Sequence, residues 1–169
     1  MELVKTIFDS VKVYKLKSRT DNRGLMTYVY EDGIESFEAK ETRVYDMPKK
    51  GTFFGIHYRE ESEPMQKLVT VVKGSGMDYV IDLRKDSDTY LKWESIELTA
   101  GNALAVLIPE GIGHAFISLE DNTVQAFTID RTGKEGHSRQ LNYKEEKIGI
   151  ELPVPVTEIS DYDAGAPFL

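Results

Sequence analysis

The chain has 169 residues, 40% of them hydrophobic, with 7 Phe, 9 Tyr and a formal net charge of -8; this suits one domain (1-169) with a buried core and excludes a disordered chain. No run reaches the roughly 18 consecutive apolar residues of a membrane span, and the start MELVKTIFDS carries acids where a secretory leader has a basic flank, so a cytoplasmic protein with no membrane partner is expected. The absence of Cys excludes disulfides and thiol nucleophiles. The acidic balance argues against a nucleic-acid partner, which needs clustered Lys and Arg, yet leaves room for a local basic cluster that holds a nucleotide-sized anion.

In chain order the pattern is short β-type runs separated by turn residues, an all-β signature. VKVYKLK at 11–17 and LMTYVY at 25–30 alternate around RTDNRG and predict a hairpin. Strands follow at 43–47, 52–58, 68–73 and 77–83, the last two joined by Gly74-Ser75-Gly76, which suits a tight turn. Runs at 95–98, 103–108, 114–119 and 124–129 bring the total to about ten strands. The tail from Tyr143 is charged and then carries Pro153 and Pro155, so it is expected to be irregular, to pack over a barrel mouth and to show KEEK as a solvated turn or short helix.

Three stretches carry chemistry: GIHY ending at Tyr58, KLVTVVKG opening at Lys67, and IPEGIGHAF around His114. The ordinary reason for a lone histidine in a strand is a satisfied core position, and for a lysine at a strand start a snorkelling side chain. If the three converge, His57 becomes a general base once a carboxylate such as Asp163 orients it, and an inward Lys67 meets developing negative charge. His114 follows a Pro-Glu-Gly turn that would aim it at the barrel mouth, and His137 reads as a surface residue. A metal would have to use His57, Glu60 or Glu63 and His114, without a His-x-His pair or Cys, so none is expected. Gly74-Ser75-Gly76 and the GIG at 111–113 lack the context of phosphate-binding loops, which leaves cofactor-independent proton transfer.

Asp21-Asn22-Arg23-Gly24, GIHY, KLVTVVKG, DLRKDSDTY at 82–90, IPEGIGHAF, IELP at 150–153 and ISDYD at 159–163 form an ordered set. In order and spacing they resemble the dTDP-4-dehydrorhamnose 3,5-epimerase family of sugar-nucleotide enzymes. The resemblance implies a cupin-like jelly-roll barrel, a homodimer that exchanges N-terminal strands, no cofactor, and a place in deoxysugar or cell-surface polysaccharide biosynthesis. It also implies that His57 removes a proton beside the C4 ketone of a nucleotide-linked 4-keto-6-deoxyhexose with Asp163 as its partner. Lys67 and His114 would then stabilise the enolate, and Arg23 would help bind the nucleotide.

Two positions depart from that family. Phe54 stands where an arginine is expected before the GIHY stretch, and Phe127 stands where a tyrosine acid is expected; a phenyl ring has no proton to give. Asp130-Arg131-Thr132 also replaces a pair of aromatic residues. The base half of the site is intact and the acid half is not. Consistent outcomes are another acid, such as water or a displaced tyrosine (Tyr79 or Tyr143), a reaction at one carbon or one face, a keto-isomerase on the same substrate class, or a non-catalytic cupin sugar-binding module. A metal-dependent cupin enzyme ranks behind these.

Overall fold

Strands whose two faces are both covered read as continuous apolar runs rather than as strict alternations, and the central strands here are of that kind. The computed structural model describes residues 1–60, 62–132 and 138–169. In chain order its strands are β1 (Glu2–Ile7), β2 (Val11–Lys15), β3 (Ser18–Asp21), β4 (Gly24–Thr27), β5 (Glu41–Met47), β6 (Thr52–Tyr58) and β7 (Lys67–Lys73). They continue with β8 (Ser75–Asp82), β9 (Trp93–Thr99), β10 (Leu104–Ile108), β11 (Ile112–Ser118), β12 (Thr123–Ile129), β13 (Arg139–Gln140) and β14 (Glu158–Ile159), before the short helix α1 (Asp161–Ala164).

One sheet has the order β1-β2-β10-β7-β12-β5, and the other β13-β6-β11-β8-β9 with β14 added parallel to β6. The two sheets face each other as a cupin-like jelly roll. Val13, Val69, Val71 and Val106 of the first pack against Val80, Leu98, Ile112 and Phe116 of the second. Each such burial contributes about 1.5–3 kcal/mol. On the far side of the second sheet, Phe53, Ile56, Tyr79, Ile81 and Ile117 lie under tail residues Leu141, Ile148, Leu152 and Val156. On the far side of the first, Leu68, Ala105 and Leu107 are covered by Leu16, Ile34 and Phe37. No helix among the described residues is long and apolar enough to cross a membrane.

Four expectations need correction. The first predicted hairpin is shorter: β3 and β4 pair around Asn22-Arg23, while β2 pairs with β1 and β10. Alternation alone does not name a strand's partner. Likewise β7 and β8 are not a hairpin, because at Gly74 (φ 73°) the chain crosses from one sheet to the other. The tail covers the outer face of the second sheet, and only its end, α1, reaches the cavity side, since the apolar residues between its prolines find their partners on that outer face. KEEK is a turn, but Glu145 is 5% exposed and accepts from the backbone N–H groups of Lys147 (3.1 Å) and Leu169 (2.7 Å) rather than meeting solvent.

The pairing of β6 with β11 contains the feature that shapes the site. His114 lies opposite His57 and Phe116 opposite Phe54, so β6 carries one residue more than β11 between these pairs, a β-bulge. The extra residue breaks the alternation: Phe53 and Ile56 both join the outer core while Phe54 and His57 both face the cavity. Gly55, at φ 112°, sits inside the bulge, and a Cβ there would lie 2.6 Å from the His114 carbonyl oxygen and 2.7 Å from the Ala115 Cα. Gly55→Ala is therefore expected to cost about 1–3 kcal/mol from backbone conformation alone, and more from the contact, read as a lower urea midpoint with an unchanged slope.

Candidate active site

A cavity of about 620 Å³ opens between the sheets, with Phe54, His57 and His114 from the second sheet and Lys67, Gln125 and Phe127 from the first among its walls. A larger cleft of about 720 Å³ beside the loop carrying Arg84 and Lys85 holds neither histidine, so the chemistry belongs to the cavity between the sheets.

His57 Nε2 lies 2.6 Å from Asp163 Oδ1, and the second carboxylate oxygen of Asp163 accepts from the Gly55 N–H at 3.1 Å. Ser160 caps α1 and accepts from the Asp163 N–H at 3.1 Å, which fixes the carboxylate from its own side. Burial works against the Asp163 carboxylate, but the hydrogen bonds and the nearby imidazole outweigh it and hold the group below its usual range. An ionised Asp163 accepts from Nε2–H and leaves Nδ1 of His57 with its lone pair free to take a proton.

His114 is not at a barrel mouth. It lies inside β11, 2% exposed, with Nε2 2.6 Å from Asp78 Oδ1, because the turn of Glu110 and Gly111 ends before the strand begins. Burial pushes its imidazole toward the neutral form against the pull of Asp78. Nδ1 of His114 has no partner among the described residues.

Lys67 faces inward from the start of β7, and burial lowers its ammonium to about 8, with Asp78 opposing and Arg43 and Arg59 reinforcing the shift. Its Nζ stands 5.4 Å from the centre of the Phe127 ring, and Arg43 lies 6.0 Å from the same ring. Phe54 and Phe127 both line the cavity. Phe54 stacks 6.3 Å from His57 and meets His114 edge-on at 5.7 Å.

Arg23 is elsewhere: on the β3–β4 hairpin its side chain is 85% exposed and pairs with Asp21 at 2.5 Å, outside the cavity of its own chain. His137 lies outside the described residues. Tyr79 and Tyr143 belong to the outer core, with the Tyr79 hydroxyl donating to the Glu151 carbonyl at 2.8 Å and Tyr143 packed 4.8 Å from Phe53. Alternation along β8 points Tyr79 away from the cavity. Glu63 faces Arg59 at 3.8 Å and Glu60 faces Arg139 at 3.3 Å, so neither carboxylate joins the histidines.

Arg43, Tyr45, Arg59 and Gln125 are among the cavity residues that the sequence reading missed. Arg43 and Arg59 bring positive charge to a protein of net charge -8, as an anionic ligand requires. Gln125, 0% exposed, has neither amide atom partnered among the described residues. Its position two residues before Phe127 in an apolar strand was a legible signal, since both share one face.

A jelly roll with a carboxylate-held imidazole and a half-buried ammonium facing one cavity defines the class of cupin-type barrels built around an internal polar site. The family model described as dTDP-4-dehydrorhamnose 3,5-epimerase matches residues 5–169, and the chain belongs to this family. A dTDP-4-dehydrorhamnose 3,5-epimerase of Methanothermobacter thermautotrophicus is 30% identical over 159 residues, covering 92% of this chain and 85% of the relative. The Bacillus anthracis dTDP-4-dehydrorhamnose 3,5-epimerase, solved with TDP and PPi bound, superposes with a TM-score of 0.89 at 26% identity over 99% of both chains. A 3'-monoepimerase of Streptomyces bikiniensis, solved with dTDP-quinovose, gives 0.84 at 25% identity over 99% of this chain and 87% of that one.

The lowered native pKa of Asp163 has a defined sign in stability. Its ionised form favours the folded state above the unfolded carboxylate value of about 3.9, and that contribution is lost as pH falls through the native value. The unfolding free energies of the wild type and Asp163→Asn are therefore expected to differ at pH 6 and to converge as the pH drops below about 4, measured by urea titration at each pH.

Proposed function

We propose that this protein is a sugar-nucleotide epimerase that deprotonates a nucleotide-linked 4-keto-6-deoxyhexose beside its C4 ketone without a cofactor. The observation that carries this reading is the 2.6 Å His57–Asp163 pair set across one cavity from the half-buried Lys67. Family membership supports the substrate class, as do the TDP and the dTDP-sugar bound by the Bacillus anthracis and Streptomyces bikiniensis relatives.

In this mechanism Nδ1 of His57 takes the proton at C3 or C5, the imidazolium is stabilised by Asp163, and the electron pair moves onto the ketone oxygen. Lys67 supplies the positive charge that the oxygen then needs, inside a wall of aromatic rings that raises the value of each charge. His114 contributes differently in its two forms. Neutral, with Nε2–H donated to Asp78, it offers Nδ1 as an acceptor; protonated, with Asp78 as counter-ion, it donates to the oxygen.

Phe127 leaves the expected position of the acid without a proton, which favours reaction at a single carbon, an activity borne by the Streptomyces bikiniensis relative. Phe54, lying over His57 and His114, substitutes a stacking surface for a cation, so Arg43 and Arg59 take over anion binding. We further propose one catalytic domain and a cytoplasmic homodimer in deoxysugar biosynthesis. The exposed Leu25 and Met26 of the hairpin that carries Arg23 support contact with a second copy, where Arg23 would meet the partner's nucleotide.

The reading is tested by incubation with dTDP-4-keto-6-deoxyglucose in deuterated water, followed by NMR and mass spectrometry. Wild type is expected to incorporate deuterium at C3, C5 or both, and His57→Ala to lose about 10²–10⁴ of that rate. Full exchange in His57→Ala would remove the base from the mechanism, and binding without any exchange in the wild type would favour a sugar-binding module. Because only the charged form of Lys67 stabilises the oxyanion, kcat/KM is expected to fall as pH rises through about 8. In Lys67→Gln that alkaline fall should vanish along with about 10²–10³ of the rate.

A further inference from the structure

Phe127 removes the expected acid from the cavity wall, and the structure assigns its replacement: we propose that Tyr45 is the proton donor that returns a proton to the enolate from the side opposite His57. The proposal rests on the epimerase reading above. Tyr45 lies on β5, the strand next to Phe127 on β12, and its side chain lines the same cavity.

The strand ladder makes the displacement short. Phe127 pairs with Arg43 and Gln125 with Tyr45, so moving from Phe127 to Tyr45 means one strand sideways and two residues along. Those steps are about 4.8 Å and 6.8 Å, a diagonal of roughly 8 Å between backbones, which a phenol covers by extending into the cavity. Cross-strand partners share a face, so Tyr45, Gln125 and Phe127 all present their side chains to the same space. The Tyr45 ring meets Phe54 edge-on at 5.7 Å, and Phe54 in turn stacks on His57. Phe54 thus touches both the base and the phenol.

Inversion at carbon needs removal and return of the proton on opposite faces of the sugar ring. His57 belongs to the second sheet and Tyr45 to the first, and packed sheets lie about 10 Å apart, room for one ring between them. Of the other tyrosines singled out, Tyr79 and Tyr143 lie in the outer core. Tyr162 packs 6.1 Å from His57 on the base's own side, where a returned proton would restore the starting configuration. Lys67 is committed to the ketone oxygen, and guanidinium groups hold their protons too tightly to serve.

The step balances. The Tyr45 O–H bond breaks, its proton forms the new C–H bond at the enolate carbon, and the electron pair on the enolate oxygen returns to the carbonyl. The resulting tyrosinate, near Arg43, recovers a proton from solvent, since Tyr45 is 43% exposed, and the His57 imidazolium, 24% exposed, releases to solvent the proton it took from carbon. Among the described residues its hydroxyl has no recorded hydrogen-bond partner, so it is free to meet a substrate.

The test is Tyr45→Phe, which keeps the ring on Phe54 and removes only the hydroxyl, assayed with dTDP-4-keto-6-deoxyglucose in deuterated water for both exchange and inversion. The variant is expected to lose inversion by about 100-fold or more while exchange with retention, driven by His57, falls by less than about 10-fold. A merely structural role would lower both together. Phe127→Tyr in the Tyr45→Phe background is expected to restore inversion by returning a phenol to the same wall. Inversion at the wild-type rate in Tyr45→Phe would overturn the assignment, with the epimerase reading intact. Wild type that exchanges only with retention would also overturn it, and wild type that does neither would sink the epimerase reading and the donor together.

Discussion

A single extra residue in β6, opposite β11, governs the arrangement of the site. Without the bulge, residues 53 to 57 would alternate, and Phe54 and His57 would fall on opposite faces of the sheet. With it, Phe53 and Ile56 anchor the strand in the outer core while Phe54 and His57 both enter the cavity. The same bulge turns the Gly55 N–H toward Asp163, so the backbone that aims the imidazole also binds the carboxylate that orients it. Only glycine fits, because the backbone of β11 approaches within 2.7 Å of where a side chain would begin.

The tail completes that arrangement from the other side of the sheet. Its apolar residues cover Phe53, Ile56 and Tyr79, and β14 pairs with β6 at Thr52 and Phe53. This brings α1 to the edge of the cavity and places Asp163 beside a histidine more than a hundred positions earlier in the chain. Packing energy spread over an apolar surface therefore fixes one polar contact to within a hydrogen-bond length. A carboxylate held in this way loses little entropy when it stabilises an imidazolium.

The electrostatics of the cavity run against the composition of the whole. An acidic chain gathers Arg43, Arg59 and Lys67 around one space, and aromatic rings line much of the rest. Burial lowers the ammonium of Lys67 to about 8, within reach of neutral pH, and holds His114 toward its neutral form. The Phe127 ring lies beside two of these cations, Lys67 and Arg43. The opposed sheets set His57 and Tyr45 on different walls of that one cavity.

The all-β class and most strand positions were legible because alternation and turn residues are local properties. GIHY, KLVTVVKG, IPEGIGHAF and ISDYD likewise marked His57, Lys67, His114 and Asp163 by their order along the chain. What no local pattern contained was which sheet each strand joins: β7 and β8 separate at Gly74, and β2 finds its partners in β1 and β10. Nor did it contain the face on which Tyr79 and Tyr45 lie, since that depends on register across strands distant in sequence. Local pattern carried the fold class and the candidates His57, Lys67, His114 and Asp163; which side chains share a cavity follows from strand pairing, because a one-residue change in pairing moves a side chain to the other face of its sheet.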